Sequence, residues 1–149
     1  MIETAPTTYA APSSAQGAQP TAPMPTTDTP REDVVGVLDY RMHDRLREPT
    51  GLFPGHYLSL SDGEQSYLLE LDRAVNHIGR STHAEVVFDD ARVSRRHAII
   101  VIDGNAARVL DDRSASGTYV NGERTIATEL SDGDVISFGP ITVSYTQIR

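Results

Sequence analysis

Four short steps built on glycine, each set between two runs rich in β-branched, leucine and aromatic residues, constrain this chain more than any other feature. HYLSLS and SYLLELD flank Asp62-Gly63, and HAIIVID and AARVLDD flank Asp103-Gly104-Asn105. TYVN and ERTIA flank Asn121-Gly122, while DVISF and ITVSYTQI flank Gly139-Pro140. Asn-Gly and Asp-Gly favour positive φ, which matches the twist of two antiparallel strands, so each step predicts a hairpin. Strands recurring about every eight residues, with no convincing helix between them, mean a sandwich or barrel and exclude a βαβ sheet. The expected fold class is therefore all-β, over residues 56–149.

The chain before this domain has a different composition. Residues 1–32 are a Pro/Thr/Ala-rich tail with almost nothing to bury, so they are expected to be disordered. Thr4, Thr7, Thr8, Thr21, Thr26, Thr27 and Thr29 would be hydroxyls within reach of a kinase. Residues 33–55 are a linker carrying a short helical pattern, in which Val35, Leu38, Met42 and Leu46 recur at three- and four-residue steps. Asp33 is placed to cap that helix and Pro49 to limit it. It reads as a helix packed on its own domain or as a docking helix for a partner.

Charge excludes several functions. A net charge of −8 argues against nucleic acid and anionic membranes as partners. There is no cysteine, and His43, His56, His77, His83 and His97 show no metal-binding spacing, so neither metal nor cofactor is expected. The longest apolar run, Ala98 to Ile102, is far short of the roughly 20 residues that span a bilayer. No signal peptide is visible, and the expectation is a cytoplasmic monomer. All 13 basic residues are arginine, which points to a GC-rich bacterial genome.

Against this acidic background Arg80, Arg92, Arg95 and Arg96 fall within one short span of the β-domain. If the turns carrying them share one end of a sandwich, they form a local positive pole; the alternative is an ordinary solvated cluster. Three motifs surround them: Gly79-Arg80 after a strand, then Ser94-Arg95-Arg96-His97, then Ser114-Ala115-Ser116-Gly117-Thr118-Tyr119-Val120-Asn121-Gly122. In order and spacing, residues 56–149 resemble the forkhead-associated (FHA) domain.

That resemblance implies an eleven-stranded β-sandwich binding phosphothreonine peptides through the loops at one end. The implied partners are phosphothreonine-containing proteins, substrates of a Ser/Thr kinase, with self-regulation through the Thr-rich tail as a variant of the same function. Arg80 would pair with the phosphate, its planar fork meeting two oxygens, and Ser94 would donate its hydroxyl to another. Arg95 and Arg92 would add charge at the rim, and Arg96 would face solvent. His97 would buttress the serine loop, Gly79 and Gly117 would serve tight turns, and Asn121-Gly122 would form a hairpin turn. A niche for the γ-methyl would favour threonine over serine, a methyl being worth about 1–3 kcal/mol in such a pocket.

The chain departs from the family at Ser116, where asparagine usually grips the peptide main chain. A serine is shorter and lacks the amide's donor pair, so weaker or differently selective binding is expected. Two other readings compete. Ser94 and His97, with Asp89 or Asp90 orienting the histidine, have the residue types of a hydrolase, but there is no GxSxG elbow and cations crowd the serine. The fold could also bind partners without phosphate, through its sandwich face or the 33–48 segment.

Overall fold

The computed structural model describes residues 31–149, and the expectations for the tail and its threonines lie outside them. Eleven strands run between Gly55 and Ile148: β2 (Gly55–Ser61), β3 (Ser66–Glu70), β4 (Val75–Gly79), β5 (Val86–Val87), β6 (Ala98–Asp103), β7 (Ala106–Asp111), β8 (Thr118–Val120), β9 (Glu123–Thr125), β10 (Ala127–Leu130), β11 (Val135–Phe138) and β12 (Ile141–Ile148). A two-residue strand, β1 (Leu46–Arg47), precedes them. They form a seven-stranded sheet, ordered β1-β3-β2-β12-β11-β8-β9, and a five-stranded sheet, ordered β10-β7-β6-β4-β5. Of the sandwich or barrel that the turn pattern predicts, this is the sandwich, as the family resemblance implies.

All four expected hairpins form, as antiparallel pairs β2/β3, β6/β7, β8/β9 and β11/β12. Asn121 and Gly122 have φ of 52° and 84°, positive at both central positions of a type I′ turn. Alternation then sets the core. Leu58, Leu60, Leu69, Ile136, Phe138 and Tyr145 from one sheet meet Ile78, Ile100 and Val109 from the other and Phe88 just beyond β5, all fully buried or nearly so. Burying each such side chain contributes roughly 1.5–3 kcal/mol.

The 33–48 segment is not the continuous amphipathic helix its spacing suggests. It forms two 3-10 helices, Val35–Val37 and Tyr40–Arg45, and then β1. The Asp33 carboxylate accepts from Gly36 N–H at 2.7 Å and closes the first turn, as a capping residue would. Extended backbone at Leu38 then bridges to Phe88, while Val34 N–H reaches Ser61 O at 2.8 Å. Val34, Val37 and Leu38 all enter the core, so the segment seals the space between the sheets and burial overrides helical periodicity.

Register gathers the loops of interest at one end. Ile78 pairs with Ala98 and Ala98 with Asp111, which brings Arg80, His97 and Asp112 to the same edge. In the other sheet Phe138 pairs with both Thr118 and Ile141, placing Gly117 and Gly139 at strand ends. His97 stacks edge-on against Phe138, 5.6 Å between ring centroids, and joins the two edges.

Candidate anion-binding site

Arg80 is the first residue beyond β4. Its N–H donates to Ser94 O at 2.9 Å and Ser81 N–H to Arg95 O at 3.0 Å, so two loops are zipped side by side. Gly79 permits that approach: a Cβ there would lie 2.2 Å from Arg95 O. The Arg80 Nε donates to Val93 O at 3.1 Å and fixes the guanidinium plane. Its two terminal nitrogens have no partner among the described residues.

His97 ties the serine loop to the next one. Ser94 N–H donates to Nδ1 at 3.1 Å, and Nε2–H donates to Gly117 O at 2.8 Å. One ring nitrogen accepting and the other donating fixes a neutral tautomer. Burial lowers the pKa of His97 below its ordinary 6.5, which outweighs the opposing pull of Gly117 and Asp111. Its ring is fully buried.

A second set of bonds holds the 111–118 loop. The Asp111 Oδ1 accepts from Ser114 Oγ at 2.5 Å and from Thr118 Oγ1 at 2.7 Å, while Ser114 Oγ accepts from Gly117 N–H at 2.8 Å. Burial would raise the Asp111 carboxyl, but these hydroxyls hold it below its ordinary range. Ser94 Oγ accepts from Ala115 N–H at 2.9 Å, which leaves its hydroxyl hydrogen to donate outward. Sequence reasoning gave Asp111, Ser114 and Thr118 no role; their only signal is the Asp-x-x-Ser-x-x-x-Thr spacing that lets one carboxylate bind both hydroxyls.

The remaining arginines differ. Arg95 is exposed at the rim, its guanidinium without a partner among the described residues, beside a hollow of about 270 Å³ that His83, Ser81 and Ala84 help to line. Arg96, expected in solvent, is exposed yet reaches Asp112 at 3.0 Å. Arg92 is held by Asp90 through Nε and Nη2, both at 3.1 Å, and Arg31 approaches the same carboxylate at 3.7 Å. Burial would raise Asp90, but Arg92 holds it low.

Ser116 Oγ is buried and has no hydrogen-bond partner. Asn121 sits at the far end of the short β8, where Val135 N–H donates to its Oδ1 at 3.0 Å and its Nδ2 donates to Asp134 at 3.1 Å, so it fixes the β8–β9 turn onto β11. Among the described residues no group of three His, Cys, Asp or Glu side chains is placed to hold a metal. No helix there is long and apolar enough to cross a membrane.

The Ser94/His97 pair lacks nucleophile–base geometry. The serine meets the ring through its backbone N–H and not through Oγ, and Asp90 is engaged by arginines. What the geometry offers is a half-buried guanidinium and a hydroxyl on loops clamped from beneath, with a free cation at the rim. Such an arrangement binds a compact anion.

Comparison with known proteins agrees. The profile of the FHA domain matches residues 76–139. The glycogen accumulation regulator GarA of Mycobacterium tuberculosis is 39% identical over 69 residues, which cover 46% of this chain and 43% of GarA. The chain thus spans under half the length of that curated relative. A solved structure from a study of phosphothreonine-dependent FHA domain interactions is 36% identical, with a TM-score of 0.57, covering 63% of this chain and 97% of that one. The FhaA FHA domain, solved in complex with the intracellular domain of Rv3910, is 37% identical with a TM-score of 0.56, covering 61% and 99%. FhaA is a protein of Mycobacterium tuberculosis.

Proposed function

This chain belongs to the FHA domain family, and from that premise we propose that it binds phosphothreonine on partner proteins in Ser/Thr-kinase signalling. The observation that carries the reading is Arg80: its Nε is anchored on Val93 O, and its two terminal nitrogens face no partner among the described residues. A phosphate with about −1.5 to −2 charge and three acceptor oxygens matches that fork together with the Ser94 hydroxyl. Each charged hydrogen bond contributes roughly 1.5–3 kcal/mol, so two or three give short peptides micromolar affinity after the cost of association. Arg95 supplies rim charge. Arg92 is a weaker candidate for phosphate contact because Asp90 already engages it. The role is binding and not catalysis, in a cytoplasmic setting where kinases and their substrates meet.

The same site suits a phosphothreonine from the chain's own tail. Arg31 N–H bonds to Pro140 O, and Gly139 abuts the Arg92 backbone, so Arg31 lies at the end of the domain that carries the site. Thr21 lies ten residues before Arg31, a contour of up to about 35 Å.

A screen of phosphothreonine, phosphoserine and unmodified peptide libraries against wild type and Arg80→Ala tests the reading. Signal confined to phosphothreonine peptides and lost in R80A is expected. Equal capture of unmodified peptides, retained in R80A, would instead show a phosphate-independent interaction domain.

A further inference from the structure

Ser116 stands where the resemblance to the family expects a side chain that grips the ligand's main chain, yet its Oγ is buried and without a partner. In this rotamer the hydroxyl is closed off from solvent and makes no contact outside the loop, although the residue itself is half-buried. A main-chain contact on this flank then falls to another donor.

A donor group that lies on this loop without a partner among the described residues is Arg124 of β9. Arg124 pairs with Tyr119 across the β8/β9 ladder, and Gly117, two residues before Tyr119, is its diagonal neighbour on the same face. The guanidinium occupies the space beside Gly117 that a side chain would fill: a Cβ built there would lie 2.7 Å from Arg124 Nε and 3.0 Å from Cζ. Gly117 has φ of 91°, a conformation that also favours glycine, so the backbone is bare where Arg124 crosses it. Gly117 is also the residue whose carbonyl His97 holds, which puts Arg124 on the clamped loop itself. Arg124 has no hydrogen bond or ion pair with any described residue, although Glu123, Glu129 and Asp134 line the same neighbouring hollow.

We propose that Arg124 is a ligand-binding residue of the phosphopeptide site, donating to a main-chain carbonyl of the bound peptide in place of the contact that Ser116 does not make. A guanidinium suits this because its donors lie in a fixed plane and remain charged at any physiological pH. The contact is to the main chain, so it acts on every phosphothreonine peptide and is indifferent to flanking sequence. The inference rests on the phosphothreonine reading of the site.

The test is fluorescence anisotropy on the full chain with a labelled phosphothreonine peptide selected by the library screen, and with a version whose flanking acidic residues are replaced by alanine. Arg124→Ala should keep the wild-type melting temperature and weaken both peptides alike, by about 5- to 30-fold. In an S116N background the loss should shrink, because the amide restores the missing donor. Wild-type affinity in R124A, with R80A abolishing binding, would overturn the Arg124 role while leaving the phosphothreonine reading intact. A loss confined to the acidic peptide, or one of equal size in the S116N background, would also overturn it. Failure of wild type to bind any phosphothreonine peptide would overturn both readings.

Discussion

His97 and Gly117 are joined by a 2.8 Å hydrogen bond from Nε2–H to the glycine carbonyl, across twenty residues of sequence. The other ring nitrogen accepts from Ser94 N–H, so one neutral imidazole sets the spacing of the two loops that carry Ser94 and Ser116. The Ser/His pair that looks catalytic in the sequence meets through the serine's backbone N–H, and in the proposed function the serine is a donor and the histidine its scaffold.

Replacing the scaffold should cost both stability and binding. His97→Ala leaves Ser94 N–H and Gly117 O unpaired and opens a cavity against Phe138. A loss of about 2–4 kcal/mol in urea denaturation is expected. Phosphopeptide affinity should fall even below the melting transition, and unchanged stability in H97A would contradict the scaffold role.

Acid should act through the same ring. The folded-state pKa of His97 lies below its ordinary 6.5, so the unfolded chain takes up the proton first. Stability from this group is complete above about pH 6.5 and falls as pH drops from there toward the folded-state pKa. Asp111 adds a separate loss at lower pH: its folded pKa is below its ordinary 3.8, so its contribution is complete above that value and disappears as pH falls through the folded pKa. Melting temperatures measured across pH 7 to 5 should decline in wild type, and the decline should be shallower in His97→Gln.

Gly79 is a close-approach glycine. Gly79→Ala places a methyl 2.2 Å from Arg95 O and must part the zipped loops. We expect a destabilisation of roughly 1–3 kcal/mol together with weaker peptide binding, since Arg80 and Ser94 are set by that zipper. Thermal melting and anisotropy on G79A check it.

Ser116→Asn should tighten phosphothreonine binding several-fold, because an amide is long enough to leave the pocket in which Ser116 Oγ is closed off. Isothermal titration of S116N against wild type decides this; equal affinity would contradict it.

Much of this was legible in the sequence, for identifiable reasons. The hairpins at Asp62-Gly63, Gly104 and Asn121-Gly122 announce themselves because only a few residue types tolerate positive φ. Arg80, Ser94 and His97 stand out because their motifs occur in one order and spacing. By contrast β5 has only two residues and pairs in parallel with β4, and β10 follows β9 after a single residue, Ile126, as the chain changes sheets. Neither leaves a periodic trace. The 33–48 segment misled because its three- and four-residue spacing also fits two 3-10 turns whose other residues, Val34 and Val37, fill the core. The tether of Arg92 to Asp90 and the seat of Arg124 on Gly117 depend on tertiary approach, which no local pattern encodes.

In the proposed function, recognition of phosphate on threonine rests on Arg80. Its most direct measurement is a calorimetric titration of wild type and Arg80→Ala with one peptide in phosphothreonine and unmodified forms. Expected are micromolar binding of the phosphothreonine form by wild type, none detectable with the unmodified form, and loss by a factor of about 100 or more in R80A with the fold intact. Equal affinity of R80A and wild type for the phosphorylated peptide would contradict it.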